Sequence, residues 1–429
     1  MNLRRNYLKN NRKELVDSLY LIALQGVNKL LPLVVLPYLL AVLGAEGYAY
    51  VGFSLAVVQF AVLIVDFGFD LSATKHVAIV RDNRAELTKV FWSVVGAKVL
   101  LLAVSLPLIL IPVFFVPAYR PYASAVLCTL PMAVGSAFTF MWMFQGIGKV
   151  RHMAIINTLS KFLLLPLVFV FVKSEADSTL AAFLQASVYM LTAFVSCLWL
   201  WRLKMVDAPT FSWRSIRVET SESLPLFLSR AATSVYTQLF VVILALFCAQ
   251  DAVGRYTSAE ALMRAACFIL YVPLTQAFFP RISALSVEDR EGGVRTMQQL
   301  LRLVVCAMLV VSILIVLLAP QLPALLGGKY EGLNTLLYIM AAAPIFISIG
   351  AVYGQMGLIA LGNARTKRWF RNVYLVVSPL ALAMLLPLAA LWHEYGAAFA
   401  LLLTEMLVAV LMYAAYMRSK KLTFSTLPQ

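Results

Sequence analysis

QGVNKLLPLVVLPYLLAVLGAEGYAYVGFSLAVVQFAVLIVDFGFDLSATKHVA, residues 25–78, decides the fold. It holds most of one apolar run, about 16–43, and the whole of a second, about 48–71. Only GAEG (44–47) lies between them. A bilayer core about 30 Å thick needs about 20 apolar residues per helix. Two such runs joined by a glycine-bounded turn predict a helical hairpin that crosses a membrane and returns.

The pattern continues outward in both directions. Of the 429 residues, 62% are hydrophobic and 13% charged. Soluble domains carry about 25% charged residues, so this chain has too few to cover a water-exposed surface. Hydropathy places spans at about 16–43, 48–71, 89–115, 121–147, 152–172, 179–201, 224–249, 254–280, 299–319, 333–361, 369–392 and 395–417. Between the third and fourth, PVFFVPAYRPYA predicts a proline turn. The connections are too short for an extramembrane domain. The basic segment MNLRRNYLKNNRKE precedes a run too long for a signal h-region, so the first span is expected to be retained. Cys128, Cys197, Cys248, Cys267 and Cys306 fall within spans and form neither a metal spacing nor a disulfide framework. The expectation is an all-α integral membrane protein with twelve transmembrane helices.

The net charge of +15 would point to nucleic acid in a soluble protein. Here it sorts by side. With twelve spans both termini share a face, and that face collects 26 of the 35 Lys and Arg. The opposite loops hold four: Arg120, Lys173, Arg255 and Lys329. Membrane proteins keep basic loops inside, so both termini are expected in the cytoplasm.

Five basic residues remain inside apolar runs: Lys29, Lys98, Lys161, Arg230 and Arg264. A central Lys or Arg costs about 2.5–3.5 kcal/mol on insertion scales, so such residues face protein or a wet cavity. Gln25, Asn28 and Lys29 share a helix face, as do Asn157, Ser160 and Lys161. Arg230, Thr233, Ser234, Thr237 and Gln238 form a polar stripe two turns long. This patterning predicts a hydrated, positively charged cavity, with pairing inside the protein as the alternative. The intramembrane acids are Asp66, Asp70, Glu260 and Glu405. Asp66 and Asp70 are read as i,i+4 at a helix end, and Glu260 and Arg264 as an i,i+4 pair. The four acids are candidates for coupling to H⁺ or Na⁺.

No catalytic constellation, cofactor motif, metal cluster or nucleotide loop stands out. The polar connection RLKMVDAPTFSWRSIRVETSES (202–223) splits the spans six and six. Both halves start from the same side, as pseudo-symmetric parallel repeats do. The expected lobes are 1–209 and 210–429, with Gly47 and Gly254 at matching turns.

Residues 25–78, together with FLSRAATSVYTQLFVVILALFCAQDAVGRYTSAEALMRAACFILYVPLTQAFFPRIS (227–283), resemble the bacterial O-antigen and polysaccharide flippases. Those share a superfamily with multidrug and toxin extrusion carriers and lipid II flippases. The match departs at Asp70 and Lys75, where the pattern carries Asn and Arg. The resemblance implies a V-shaped, two-lobe, inner-membrane carrier that flips a polyprenyl-pyrophosphate-linked oligosaccharide by alternating access. It implies membrane lipid as a partner, and polymerase and chain-length machinery as further ones. Lys29, Lys98, Lys161, Arg230 and Arg264 would bind the anion, and Gln25, Asn28, Thr233, Ser234 and Gln238 the sugar hydroxyls. A cation-coupled drug exporter, and a membrane polymerase or ligase acting on lipid-linked sugars, remain open alternatives at this point. If the topology is right, cysteines introduced at Asp82 and Gly328 react with an impermeant maleimide from opposite faces of sealed vesicles. Labelling of both from one face refutes it.

Overall fold

In a computed structural model, the backbone is described for residues 2–210 and 212–424. The side chains of residues 1–29, 211, 229, 232, 233, 235, 236, 287 and 421–429 lie outside the described set. The chain is helical almost throughout, with no strand among the described residues. The order is α1 (Asn2–Asp66), α2 (Phe69–Val80), α3 (Arg84–Phe115), a 3₁₀ turn (Pro117–Tyr122), α4 (Ala123–Thr129), α5 (Pro131–Phe138), α6 (Met141–Gly146) and α7 (Val150–Phe171). A second 3₁₀ turn (Glu175–Asp177) leads to α8 (Ser178–Leu203), α9 (Trp213–Phe247), α10 (Gln250–Glu288) and α11 (Arg290–Leu318). Then come α12 (Leu322–Leu325), α13 (Leu333–Met340), α14 (Ala343–Ala351), a π-helical segment (Val352–Ala360) and α15 (Ala364–Phe424).

Nine stretches among the described residues are long and apolar enough to cross a membrane. Two of these, Leu30–Val80 and Ala364–Lys420, run 51 and 57 residues. Both contain a break. In α1 it is Gly44, at φ 67° and ψ −176°, a conformation that only glycine adopts without strain. It falls at the start of the predicted GAEG turn. In α15 the break is at Trp392 and His393, where the last two predicted spans meet.

The spans are less regular than hydropathy suggested. Residues 117–146 are broken at Leu130 and again at Thr139–Phe140. The second span does not run straight to residue 71. Phe67 (φ 40°) and Gly68 (φ 83°) interrupt it, and α2 carries the chain on to Val80. Asp66 and Asp70 therefore sit on two helices, not one turn apart on a single helix. The connection read as 202–223 is helical from Trp213, which starts α9 well before the apolar run.

Packing joins the two halves of the chain. One apolar core runs from Val35 to Tyr416 and draws on both. Exposed Val104, Phe115, Leu309 and Leu317 present apolar surface outward, as a lipid-facing shell does. At the predicted external end α1 meets α10 backbone to backbone: a Cβ on Gly254 would lie 1.7 Å from the Ala45 carbonyl oxygen. One turn along, Gly52 abuts Thr257. The buried Tyr330 hydroxyl donates to the Leu40 carbonyl at 2.9 Å, and Tyr119 to Val242 at 3.1 Å. Overpacking such a contact costs about 1–3 kcal/mol. Gly254→Ala is expected to push α1 from α10 and lower the melting temperature of the purified protein. Unchanged melting would mean the two backbones do not touch.

Candidate functional site

Two adjoining cavities occupy the bundle. The first, about 280 Å³, is walled by Asp66, Asp70, Lys98, Gln145, Asn157 and Lys161. The second, about 580 Å³, lies between the halves, with Gln59, Lys161 and Gln185 facing Gln238, Glu260 and Arg264. Lys161 and Tyr189 line both.

Lys98 shows how the fold accommodates a charge here. It sits on α3 with 1% of its surface exposed. Its Nζ donates to Asp66 Oδ1 at 3.1 Å and to the Ser136 carbonyl at 3.0 Å. Ser136 lies in the last turn of α5, which stops at Phe138, and its carbonyl also accepts the Thr139 N–H at 3.4 Å. The partial negative charge of that helix end also favours a cation. The Ser136 hydroxyl donates to the same Asp66 oxygen at 2.7 Å. Three helices thus meet on one ammonium.

Arg264 and Arg230 are likewise engaged. Arg264 Nε donates to Glu260 Oε1 at 2.8 Å, the predicted i,i+4 pair, and Arg264 Nη2 lies 3.9 Å from Glu405 Oε1. Arg230 Nη1 donates to Asp70 Oδ2 at 2.7 Å, linking α9 to α2. Gln238 lines the second cavity and Ser234 is half-buried. Gln25, Asn28, Lys29 and Thr233 fall outside the described side chains.

The charged side chains lining the two cavities are Lys98, Lys161 and Arg264 against Asp66, Asp70 and Glu260. A lining of positive charge alone is not what the described residues make. The reason is electrostatic: an unpaired ion in a low-dielectric interior is far costlier than a paired one, so neighbouring helices bring carboxylates to Lys98 and Arg230. Sequence reasoning also passed over Gln59, Gln145 and Gln185, amides inside apolar runs. Asking for any polar side chain at mid-span, not charges alone, would have found them.

On the predicted cytoplasmic side, α2 lies along α9. Phe67 stacks on Phe227 at 4.3 Å, and Ser72 and Ser223 share a hydrogen bond. His76 lies between Glu219, at 2.9 Å, and Glu222, at 3.5 Å. Burial pushes the Glu219 carboxyl above its ordinary pKa, with His76 opposing the shift. A Cβ on Gly68 would come within 2.8 Å of Leu226, so glycine is what lets the two helices close.

Comparison with known proteins matches this arrangement. Residues 15–286 match the family described as "Polysaccharide biosynthesis protein". A protein of Escherichia coli (strain K12) named "Putative O-antigen transporter" is 30% identical over 410 residues, covering 95% of this chain and 97% of its own. One of the same name from Shigella dysenteriae is 30% identical over 400 residues, covering 93% and 99%. Among solved structures, an inward-facing multidrug resistance MATE family transporter of the MOP superfamily superposes with TM-score 0.70 at 15% identity, covering 93% and 96%. Lipid II flippase MurJ in an inward closed conformation gives 0.69 at 12%, covering 96% and 94%. An outward-facing MATE structure gives 0.57 at 17%, covering 95% and 96%.

Removing one partner of a buried ion pair costs about 3–5 kcal/mol, whereas replacing both with apolar groups can be neutral. Asp66→Ala is therefore expected to lower the melting temperature sharply, and Asp66→Ala with Lys98→Met to recover most of the loss. Equal melting of single and double variants would contradict the pairing.

Proposed function

The chain belongs to the polysaccharide biosynthesis protein family, a family of transporters, and we propose that it flips a polyprenyl-pyrophosphate-linked oligosaccharide across the bacterial inner membrane. The observation that carries this reading is a polar cavity, lined by matched charges and amides, inside a bundle whose outer face is apolar. Reading each of the two broken helices as two crossings, and α9 as one more, gives twelve spans in two six-helix lobes, 1–209 and 210–429. Both termini then face the cytoplasm.

The ion pairs suit a cycle of exchange. At rest, Asp66, Asp70 and Glu260 act as counter-ions for Lys98, Arg230 and Arg264. A pyrophosphate offers the same cations more charge and more acceptor oxygens than a single carboxylate does. It displaces the carboxylates from their partners. A carboxylate freed inside a low-dielectric cavity takes up H⁺ or Na⁺, because the bare anion is costly there. Cargo binding and cation uptake are thereby linked. Lys161, on the wall shared by the two cavities, passes the head group from one to the other. Gln59, Gln185 and Gln238 bond sugar hydroxyls. The prenyl chain stays in lipid.

Access alternates between two unequal seams. The α1–α10 contact is backbone against backbone. The α2–α9 seam is held partly by Asp70–Arg230, whose side chains are 34% and 47% exposed. Exposed pairs contribute about 0–1 kcal/mol, so the cytoplasmic seam is the cheaper one to open.

Proteoliposomes loaded with a defined lipid-linked oligosaccharide test the reading. Wild type should translocate it, and Lys161→Ala should slow this at least tenfold while remaining folded. Translocation by Asp66→Asn should lose the dependence on pH, or on Na⁺, that wild type shows. Wild-type vesicles no faster than protein-free ones would refute the assignment.

A further inference from the structure

A groove of about 810 Å³ runs up the outside of the bundle between α3 and α9, apart from both cavities. Leu100 and Val104 of α3 form one wall, and Leu224 of α9 faces them. Lower on α9, at the predicted cytoplasmic end, the same face of the helix carries Arg214 and Arg217. Among the described residues neither guanidinium forms an ion pair, although Arg214 also borders a hollow that holds Glu86 and Glu219, and both arginines are exposed. In the sequence they counted only as loop charge that orients the bundle. The structure moves them onto a helix flank.

Their depth matters. A Cβ on Gly96 would lie 3.0 Å from Ile216, which sets α9 beside α3. The apolar run of α3 begins near residue 89, so Gly96 is about 10 Å beyond its start. Arg214 and Arg217 flank Ile216 near that level, ahead of the apolar run of α9 that begins near residue 224, so extended side chains can reach the head groups. Two unpaired cations there, below an apolar channel, are complementary to a lipid with a phosphate at its end.

Continuity with the cavity selects which lipid. Ala97 lines the groove, and the next residue, Lys98, lines the first cavity. Phe67 lines the groove, and Asp66, its neighbour, pairs with Lys98. Groove and cavity stand back to back across the same two segments, beside the α2–α9 seam. We infer that this groove is the docking site of the polyprenyl phosphate lipid, holding its chain along Leu100 and Val104 and its phosphate on Arg214 and Arg217 before the head group enters. This deepens the flippase reading and rests on it.

The test uses the full chain in phosphatidylcholine nanodiscs and a polyprenyl diphosphate bearing a photoreactive group on its chain. Cross-links should map to residues around Leu100, Val104 and Leu224. Arg214→Gln with Arg217→Gln, and separately Val104→Trp, should each reduce them at least tenfold. A hundredfold excess of phosphatidylglycerol should leave most of the labelling intact. Labelling elsewhere, labelling unchanged in both variants, or its loss to phosphatidylglycerol overturns the site, the last by making it a seat for bulk anionic lipid. Monodisperse elution checks folding of the variants. Translocation by wild type is measured in parallel. Translocation without groove labelling sinks the docking site alone, whereas groove labelling without translocation sinks the flippase reading.

Discussion

A lysine ammonium with almost no access to solvent organises the N-terminal half of this bundle. A buried ammonium needs partners, and Asp66 and the last turn of α5 supply them to Lys98 together. That requirement explains otherwise odd features. The second span must break at Phe67–Gly68, so that Asp66 ends one helix while α2 turns along α9. The fourth span breaks after Phe138, where the Ser136 carbonyl accepts both the Thr139 N–H and the Lys98 ammonium. Both irregularities interrupt apolar runs that hydropathy would draw as continuous, and both place polar backbone where it borders a cavity. Irregular backbone at membrane depth is tolerated where protein or water satisfies it.

The same economy recurs in the C-terminal half, where Arg264 is held by Glu260 on its own helix and approached by Glu405 on α15. The two clusters border cavities that share Lys161. Among the described residues Lys98, Arg230 and Arg264 each have a carboxylate partner. A cavity of bare cations would bind an anion tightly but would be expensive to fold. Pairing lowers that cost.

The legibility of these parts from sequence differed for physical reasons. Span positions, the turn at residue 44 and the break at 392–393 follow from apolar run length and glycine or polar punctuation, which are local. The Glu260–Arg264 pair was also legible, because i,i+4 spacing sets two side chains together on any helix. Lys98–Asp66 was not, since 32 residues and two helices separate the partners. The kink between Asp66 and Asp70 was missed although Gly68 lies at its centre, because a single glycine inside an apolar run is a weak breaking signal. The amides Gln59, Gln145 and Gln185 were legible in principle, as polar residues in apolar surroundings.

By itself the sequence determined that the chain carries many runs apolar enough to cross a membrane, and that a few charged residues are trapped within them. These are consequences of transfer free energy, which each segment pays separately. Only the tertiary structure decided which charges neutralise one another, where the cavities lie, and that Arg214 and Arg217 flank a groove on a helix instead of sitting in a loop. Those outcomes depend on which helices meet, and the low dielectric at the meeting points makes each pairing count.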